Sequence, residues 1–205
     1  MTQARPYAGV QASDRLATRR NRLLRAGLQL LGGSVDPPDL TVRGVCTEAG
    51  LATRYFYESF SDKDEFIAAV FDWVVATLAA STQAAVAAAT AAGQTRAAMT
   101  VIVRIIEADP RIGRLIFNPR LSNATVMRKR VESSAFFAML TGHHVETVLQ
   151  RRANERIKAG AQFVVGGVAQ TISAWLAGEV RLDADEVVEQ LTALIDGVAK
   201  PRLYD

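Results

Sequence analysis

The side chains best suited to chemistry in this chain lie in one short segment, residues 40–63, which reads LTVRGVCTEAGLATRYFYESFSDK. Its hydroxyl, aromatic and basic groups cluster just after a glycine: Thr53, Arg54, Tyr55 and Tyr57. Such groups hydrogen-bond to phosphate oxygens and to the edges of bases, and arginine adds positive charge. The cluster therefore predicts contact with duplex DNA.

The elements predicted around this cluster are two short helices and the beginning of a third. Thr41 occupies an N-cap position, and Gly50 suits the turn that ends the first helix. The second helix covers about residues 52–58, and Phe56 and Phe60 are expected to anchor it to the core. A helix of this size fits the major groove, so the segment predicts a helix-turn-helix.

This segment resembles the tetracycline-repressor (TetR) family of transcriptional regulators. The matching residues are Thr41, Val45, Ala49-Gly50 and, above all, Tyr57-x-x-Phe60-x-x-Lys63 followed by acids and Phe66. The upstream stretch Leu23-Leu24-x-Ala26-Gly27-Leu28-x-Leu30 resembles the family's first helix. The resemblance is close from about residue 19 to residue 71, and beyond that only the helical pattern matches.

The resemblance implies a double-stranded DNA operator as partner and a role for each matching position. Tyr57 and Lys63 would contact phosphates, and Thr41 and Arg43 would do so at the start of the supporting helix. Thr53, Arg54 and Tyr55 would face base edges or flanking phosphates. Arg54 stands where the family often has a small residue or proline, so this chain departs from the family pattern there.

A structural interpretation of each position stays open beside the functional one. Tyr55 and Tyr57 could be core aromatics, and Lys63 could be a solvated charge at a helix start. Cys46 stands where the family often has alanine, and we interpret it as a small buried residue and not a redox sensor.

Composition and charge favour a helical protein with a basic front. The 205 residues are 49% hydrophobic and rich in alanine, which favours helices over disorder. Before residue 30, six arginines face one acid, Asp14: Arg5, Arg15, Arg19, Arg20, Arg22 and Arg25. The last helix is acidic. The front could therefore meet a polyanion, although charge alone fits an ordinary solvated helix face equally well.

The whole chain is predicted to be all-α, with about nine helices and two domains. Residues 1–60 form the helix-turn-helix domain, preceded by a flexible arm (1–12), and residues 61–205 form a ligand-binding and dimerisation domain. The predicted helices cover about residues 13–31, 41–49, 52–58, 62–92, 95–108, 109–118, 122–149, 154–180 and 183–200.

The middle of the chain is predicted to bind an effector. Three helices suffice for a DNA-binding unit and two for a dimer, so residues 95–149 lack a role unless they sense something. The apolar helices there favour a small, largely apolar or aromatic ligand. The candidate pocket residues are Trp73, Met99, Ile102, Ile106, Phe117, Phe136, Phe137, Met139, Leu140 and His143. Control by a protein partner stays open as an alternative. The short helix from Asp109 to Phe117 is a candidate lever between this pocket and the long helix that starts at Asp62.

The resemblance also implies a homodimer built on the last two helices. Gly160, Gly166 and Gly167 would permit close helix approach in such an interface. The candidate interface residues are Val164, Gly167, Val168, Ile172, Trp175, Leu191, Leu194 and Ile195.

Several other classes are disfavoured. We find no glycine-rich phosphate loop, no G-x-S-x-G and no cysteine pair, so an enzyme is not expected. His143 with Glu146 would make a poor metal site, and we predict neither metal nor cofactor. The apolar stretch 161–180 contains Gln and Glu, which favours a buried or interface helix over a membrane span. The N-terminus has no apolar leader, so we expect a cytoplasmic protein with no membrane partner.

Overall fold

The computed structural model describes residues 8–150, 152–200 and 203, and these form helices without any strand. The nine α-helices are α1 (Ala8–Gly32), α2 (Val42–Ala49), α3 (Thr53–Tyr57), α4 (Lys63–Ala88), α5 (Gln94–Ala108), α6 (Pro110–Phe117), α7 (Ala124–Leu149), α8 (Glu155–Leu176) and α9 (Ala184–Val198). A single 3₁₀ turn (Ala91–Gly93) joins α4 to α5. The predicted all-α fold with about nine helices is confirmed.

A first hydrophobic core lies where α1, α2 and α3 pack on α4. Its fully buried side chains include Leu23, Val45 and Phe56, and α6 and α7 contribute Leu115 and Val126. The core therefore crosses the boundary predicted at residue 60. The crossing of α1 and α4 is close, because a Cβ at Gly27 would lie 2.5 Å from Cγ2 of Val70.

The second core lies between α5, α8 and α9. These three helices and α7 are called the body below. Val103, Ile106 and Ile172 are fully buried there, and Val187 and Leu191 of α9 pack with them. Glycine again permits a close approach, since a Cβ at Gly113 of α6 would lie 2.7 Å from Ile106 and from Leu176. This contact joins α6 to the body.

Capping residues fix most helix boundaries close to their predicted positions. Asp183 and Glu186 form the predicted capping box at the start of α9, and Asn154 caps α8. The α7 cap is Asn123, one residue after the predicted Ser122. The predicted end of α8 at residue 180 is too late, because Gly178 adopts φ 75° and ends the helix near Leu176.

The N-terminal arm is shorter than predicted, because α1 is already helical from Ala8. The rest of the predicted arm, residues 1–7, lies outside the described residues. Helix α4 is long and apolar enough to cross a membrane by length and composition. Its buried face packs into the first core through Phe66, Ile67, Val70 and Phe71, which is the arrangement of a central core helix.

Candidate nucleic-acid interface

The turn between α2 and α3 has the geometry that the sequence predicts. Gly50 adopts φ 60° and ψ 42°, a left-handed conformation that costs glycine little. The Leu51 N–H donates to the Cys46 carbonyl at 2.9 Å and the Gly50 N–H to that of Thr47 at 3.1 Å, which satisfies the end of α2. Leu51 packs against the first core, and α3 begins at Thr53.

An aromatic cluster holds α3 against the core. Phe56 is fully buried and Phe60 almost so, which confirms both predicted anchors. The Phe56 ring centroid lies 5.6 Å from that of Phe60 and 5.2 Å from that of Phe66 at the start of α4. Because α3 has only five residues, these rings and not its own backbone hydrogen bonds stabilise it.

The predicted DNA-contacting residues lie mainly on the surface. Tyr57 is 59% exposed, and Tyr55 is half-buried. The others are all exposed: Thr41, Arg43, Thr53, Arg54 and Lys63. Their availability is what contact with a partner requires, and it weakens the interpretation of Tyr57 as a core aromatic.

Two helix starts contribute to this surface. Thr41 caps α2, and its hydroxyl accepts a hydrogen bond from the Gly44 N–H at 3.1 Å. Asp62 caps α4 by accepting from the Glu65 N–H at 2.8 Å, and Lys63 follows it directly. Glu65 accepts from the Ser61 hydroxyl and N–H, and these hydrogen bonds hold the pKa of its carboxyl below the usual value.

At least three arginines among the described residues of the basic front bind the protein itself, which sequence reasoning missed. Arg22 donates to the Ala49 carbonyl at the end of α2 at 2.7 Å. Arg20 donates to the Ser59 carbonyl at 2.9 Å and lies over the Phe60 ring. These contacts join residues at least 27 positions apart, so no local pattern reveals them. Part of the basic front therefore holds the helix-turn-helix against α1 by hydrogen bonds.

The third of these arginines forms an array with α3. The Arg19 guanidinium lies 4.0 Å from the Tyr55 ring centroid and 3.3 Å from the Glu58 carboxylate. On α3 itself, Arg54 donates to the Tyr55 hydroxyl at 2.6 Å.

Cys46 is buried in the first core, as predicted. Burial raises the pKa of its thiol, which the nearby Thr53 side chain opposes by a hydrogen bond. A buried, protonated thiol is a poor nucleophile.

The candidate pocket residues fall into separate groups. Met99 and Ile106 are buried in the second core, and Ile102 and Phe117 pack against it, whereas Trp73 packs against the first core. On α7, Phe137 and Leu140 are half-buried, while Phe136 is 44% and Met139 62% exposed. The structure therefore brings the α5–α6 group together and leaves part of the α7 group on the surface.

The histidines lie on the surface of α7. The His143 side chain is 79% exposed, and its Nδ1 lies 3.8 Å from the Glu146 carboxylate. Among the described residues, no group of three or more His, Cys, Asp or Glu side chains could hold a metal.

The candidate dimer residues include both buried and outward-facing positions. Ile172 and Leu191 are buried within the chain's own second core, and Val168, Trp175 and Ile195 pack against it. Val164 is half-buried. Leu194 is exposed, and a Cβ at Gly167 would meet nothing within 4 Å. Phe163, which the sequence analysis did not select, is 69% exposed beside these positions on α8.

Helix α6 connects the body to α1 through polar contacts. On the α1 side, Arg111 donates to the Gln29 side chain at 2.8 Å and Arg114 to the Gly32 carbonyl. On the body side, Ser173 of α8 donates to the Phe117 carbonyl at 2.9 Å and Arg130 of α7 to that of Leu115 at 2.8 Å. Hydrogen bonds through α6 thus connect α7 and α8 to the end of α1.

The fold is that of TetR-family transcriptional regulators. A TetR-family regulator from Syntrophomonas wolfei superposes with a TM-score of 0.74 at 12% identity, over 89% of this chain and 95% of that one. The fatty acid degradation regulator FadR from Bacillus halodurans superposes with a TM-score of 0.72 at 14% identity, over 96% and 97% of the two chains.

A third similar structure was solved with a ligand. It is the transcriptional regulator FadR from Bacillus subtilis in complex with stearoyl-CoA, with a TM-score of 0.66 at 12% identity, over 85% of this chain and 96% of that one. No family model matches this sequence, and no curated protein does so either. At these identities the likeness establishes the fold, and function has to be argued from the residues of this chain.

Proposed function

We propose that this protein is a homodimeric transcriptional repressor that binds a palindromic DNA operator and is released by a small, largely apolar ligand. The observation that carries the proposal is the surface of α2 and α3. A left-handed Gly50 turn and a buried aromatic anchor hold a short helix whose outward side chains are polar or basic. Regulators of the same fold support it. Such a protein would act in the cytoplasm.

Each predicted contact residue has a role that fits its chemistry. Tyr57, Lys63, Thr41 and Arg43 would bind phosphates and fix the protein on the duplex, aided by the N-terminal ends of α2 and α4. The α3 residues Thr53, Arg54 and Tyr55 would lie in the major groove against base edges or flanking phosphates. In this proposal residues 1–60 form the DNA-binding domain, and residues 61–205 form the ligand-binding and dimerisation domain.

Selection of bound duplexes from a random DNA pool tests the DNA-binding proposal. We expect a palindrome whose half-sites lie about 35 Å apart. Lys63→Ala should weaken binding to all sequences and make the salt dependence less steep by about one unit. A full-length protein that enriches no sequence from the pool would overturn the proposal.

The proposed homodimer uses the outward faces of α8 and α9. Phe163 and Leu194 are exposed apolar side chains, and the open space at Gly167 leaves room for a partner helix. Two copies are also needed to contact both halves of a palindrome. The candidate interface residues Ile172 and Leu191, which are buried in the second core, would lie beneath this face and stabilise it.

Gly167→Arg is a sharp test of this interface. The open space around Gly167 lets the protomer fold with the larger side chain, but a partner helix would be blocked. We expect a monomer in sedimentation analysis with an unchanged helical spectrum, whereas Ala91→Arg, on the exposed 3₁₀ turn, should stay dimeric. A Gly167→Arg dimer of wild-type affinity would contradict this interface.

The proposed effector occupies the body and acts through α6. Met99 and Ile106 of α5 are buried in the second core, Ile102 and Phe117 pack against it, and α6 is hydrogen-bonded to α1. Since a protein of this fold was solved with stearoyl-CoA, long-chain acyl-CoA is the first compound class to test. A ligand that favours the released state by about 1–3 kcal/mol would weaken DNA binding about 5- to 150-fold.

Titrating the protein–operator complex with palmitoyl-CoA, stearoyl-CoA and a set of aromatic hydrophobic compounds tests the coupling. We expect at least one class to release the DNA, and the operator to weaken that ligand by the same factor. Free CoA and a zwitterionic detergent control for charge and for unspecific apolar binding. Ligands that raise the melting temperature without changing DNA affinity would contradict the coupling.

A further inference from the structure

A row of contacting side chains ends at Arg54, where the chain departs from the pattern of the family that it resembles. Glu58 contacts Arg19 at 3.3 Å, Arg19 lies over the Tyr55 ring at 4.0 Å, and the Tyr55 hydroxyl accepts from Nη2 of Arg54 at 2.6 Å. The Arg54 guanidinium also lies 4.6 Å from the centroid of the Tyr55 ring. One side chain of α1, two of α3 and that of Glu58, the C-cap of α3, thus share one arrangement.

The row leaves the binding capacity of Arg54 largely free. Tyr55 occupies a single N–H of the guanidinium, and within the described residues no other hydrogen bond or ion pair engages it. Arg54 is exposed, while Tyr55 and Arg19 are half-buried. A guanidinium whose remaining N–H groups are unoccupied can donate two parallel hydrogen bonds to one pair of acceptors.

In the major groove, the pair of acceptors that best fits two parallel N–H donors is O6 and N7 of guanine. A free arginine side chain loses rotamer freedom when it binds, and an arginine already held in place loses less. The Tyr55 hydroxyl and ring supply that restraint, and Arg19 with Glu58 holds the tyrosine from the α1 side.

We propose that Arg54 determines specificity for a guanine in each operator half-site, and that Tyr55 and Arg19 are positioning residues for it. The inference rests on the proposed DNA-binding function and adds which base is recognised and by which side chain. It gives Tyr55 a task distinct from the base or phosphate contact that the family resemblance implies.

The test measures base preference position by position in DNA pools bound by full-length variants. Wild type should enrich guanine at one position of each half-site. Arg54→Lys keeps the positive charge but loses the pair of parallel N–H donors, and Arg54→Ala loses both. Each variant should reduce the preference for guanine by about 5- to 150-fold and leave the preferences at the other positions unchanged. Tyr55→Phe keeps the ring without the hydroxyl, and it should reduce the preference at the same position by a smaller factor.

Two controls separate positioning from direct contact. Arg43→Ala should weaken binding uniformly without altering any base preference. In the Arg54→Ala background, Tyr55→Phe should have no further effect, because its influence passes through Arg54. Helical spectra and melting temperatures of all variants verify that α3 stays folded.

The outcomes are distinguishable. If wild type selects a palindrome but Arg54 variants keep its base preferences, the inference is overturned and the proposed function stands. A Tyr55→Phe effect at another position, or a uniform loss of affinity, would mean that Tyr55 contacts DNA itself and would overturn the positioning role. If wild type selects no DNA, both the proposed function and the inference that rests on it are wrong.

Discussion

Helices α3 and α8 both present a face to solvent, but the two faces differ in the chemistry of their side chains and in the packing beneath them. The outward side chains of α3 are polar or basic, and they rest on Phe56, which is fully buried. The outward face of α8 carries Phe163, 69% exposed, beside two glycines with open space. A charged face on a rigid anchor suits a hydrated polyanion, whereas an apolar face with small residues suits another helix.

The largest effect expected from this comparison is on the anchor of α3. Phe56→Ala removes a ring that contacts Tyr57, Phe60 and Phe66, and it should lower the free energy of unfolding by about 3–5 kcal/mol. DNA binding should be lost with it, because α3 is too short to persist alone. Urea unfolding followed by circular dichroism measures the change. A variant as stable as wild type would show that the aromatic cluster does not hold α3.

The same substitution on α8 should act on assembly and not on folding. Phe163→Ala should leave the unfolding of the protomer nearly unchanged, because its ring is mostly exposed. If the ring is buried between protomers, the dimer should weaken by about 1.5–3 kcal/mol. Sedimentation equilibrium measures the dimer dissociation constant, with Phe136→Ala, another exposed phenylalanine, as the matched control. Equal dimerisation of both variants and wild type would remove Phe163 from the interface.

The two regions also differ in how far the sequence predicts them. In the DNA-binding unit, Thr41, Gly50, Phe56 and Phe60 act through caps, turns and periodic burial, which are local properties visible in the sequence. The Arg22 contact to Ala49 joins positions 27 apart, and it depends on how α1 crosses α2. Local patterns cannot contain such a contact, so from the sequence alone the basic front fits a polyanion-binding surface and a solvated helix face equally well.

In the body, periodicity predicts the helices but not what surrounds them. Ile172 and Leu191 have the apolar character of interface residues, yet they are buried in the chain's own core. Met139 has the character of a pocket residue, yet it is mostly exposed. An apolar side chain serves a core, a pocket or a protomer interface equally well, and only packing distinguishes the three. The pocket and interface assignments therefore stay predictions.

A smaller effect distinguishes arginines that hold the fold from those proposed to hold DNA. Arg22→Met removes the hydrogen bond to the end of α2 and should lower the free energy of unfolding by about 1 kcal/mol. Arg43→Met should change stability by less than about 0.5 kcal/mol, since Arg43 is exposed. The salt dependence of operator binding should become less steep for Arg43→Met only. If Arg43→Met lowered the stability and Arg22→Met changed only the salt dependence, Arg22 would not hold α2 against α1.

The smallest effect expected concerns the charge that links α6 to the helix-turn-helix. Asp109 caps α6 and binds Arg111 at 2.7 Å, and Arg111 in turn donates to Gln29 of α1. The hydrogen bond from Arg111 lowers the pKa of the Asp109 carboxyl, although partial burial opposes it. Asp109→Asn keeps an N-cap residue and removes only the charge, so it should cost less than about 1 kcal/mol at pH 7.

The pH dependence of this cost has a definite sign. Because the pKa of Asp109 is lower in the folded state, its charge stabilises the fold fully above the unfolded value of about 3.9, and the contribution disappears as the pH falls through the folded pKa. The stability difference between wild type and Asp109→Asn should therefore be constant from pH 7 to about pH 5 and shrink below about pH 4. Urea titrations at pH 7, 5 and 3 measure it. A difference that grows on acidification would mean that Arg111 does not stabilise the Asp109 carboxylate, and the α6 link to Gln29 would then need another support.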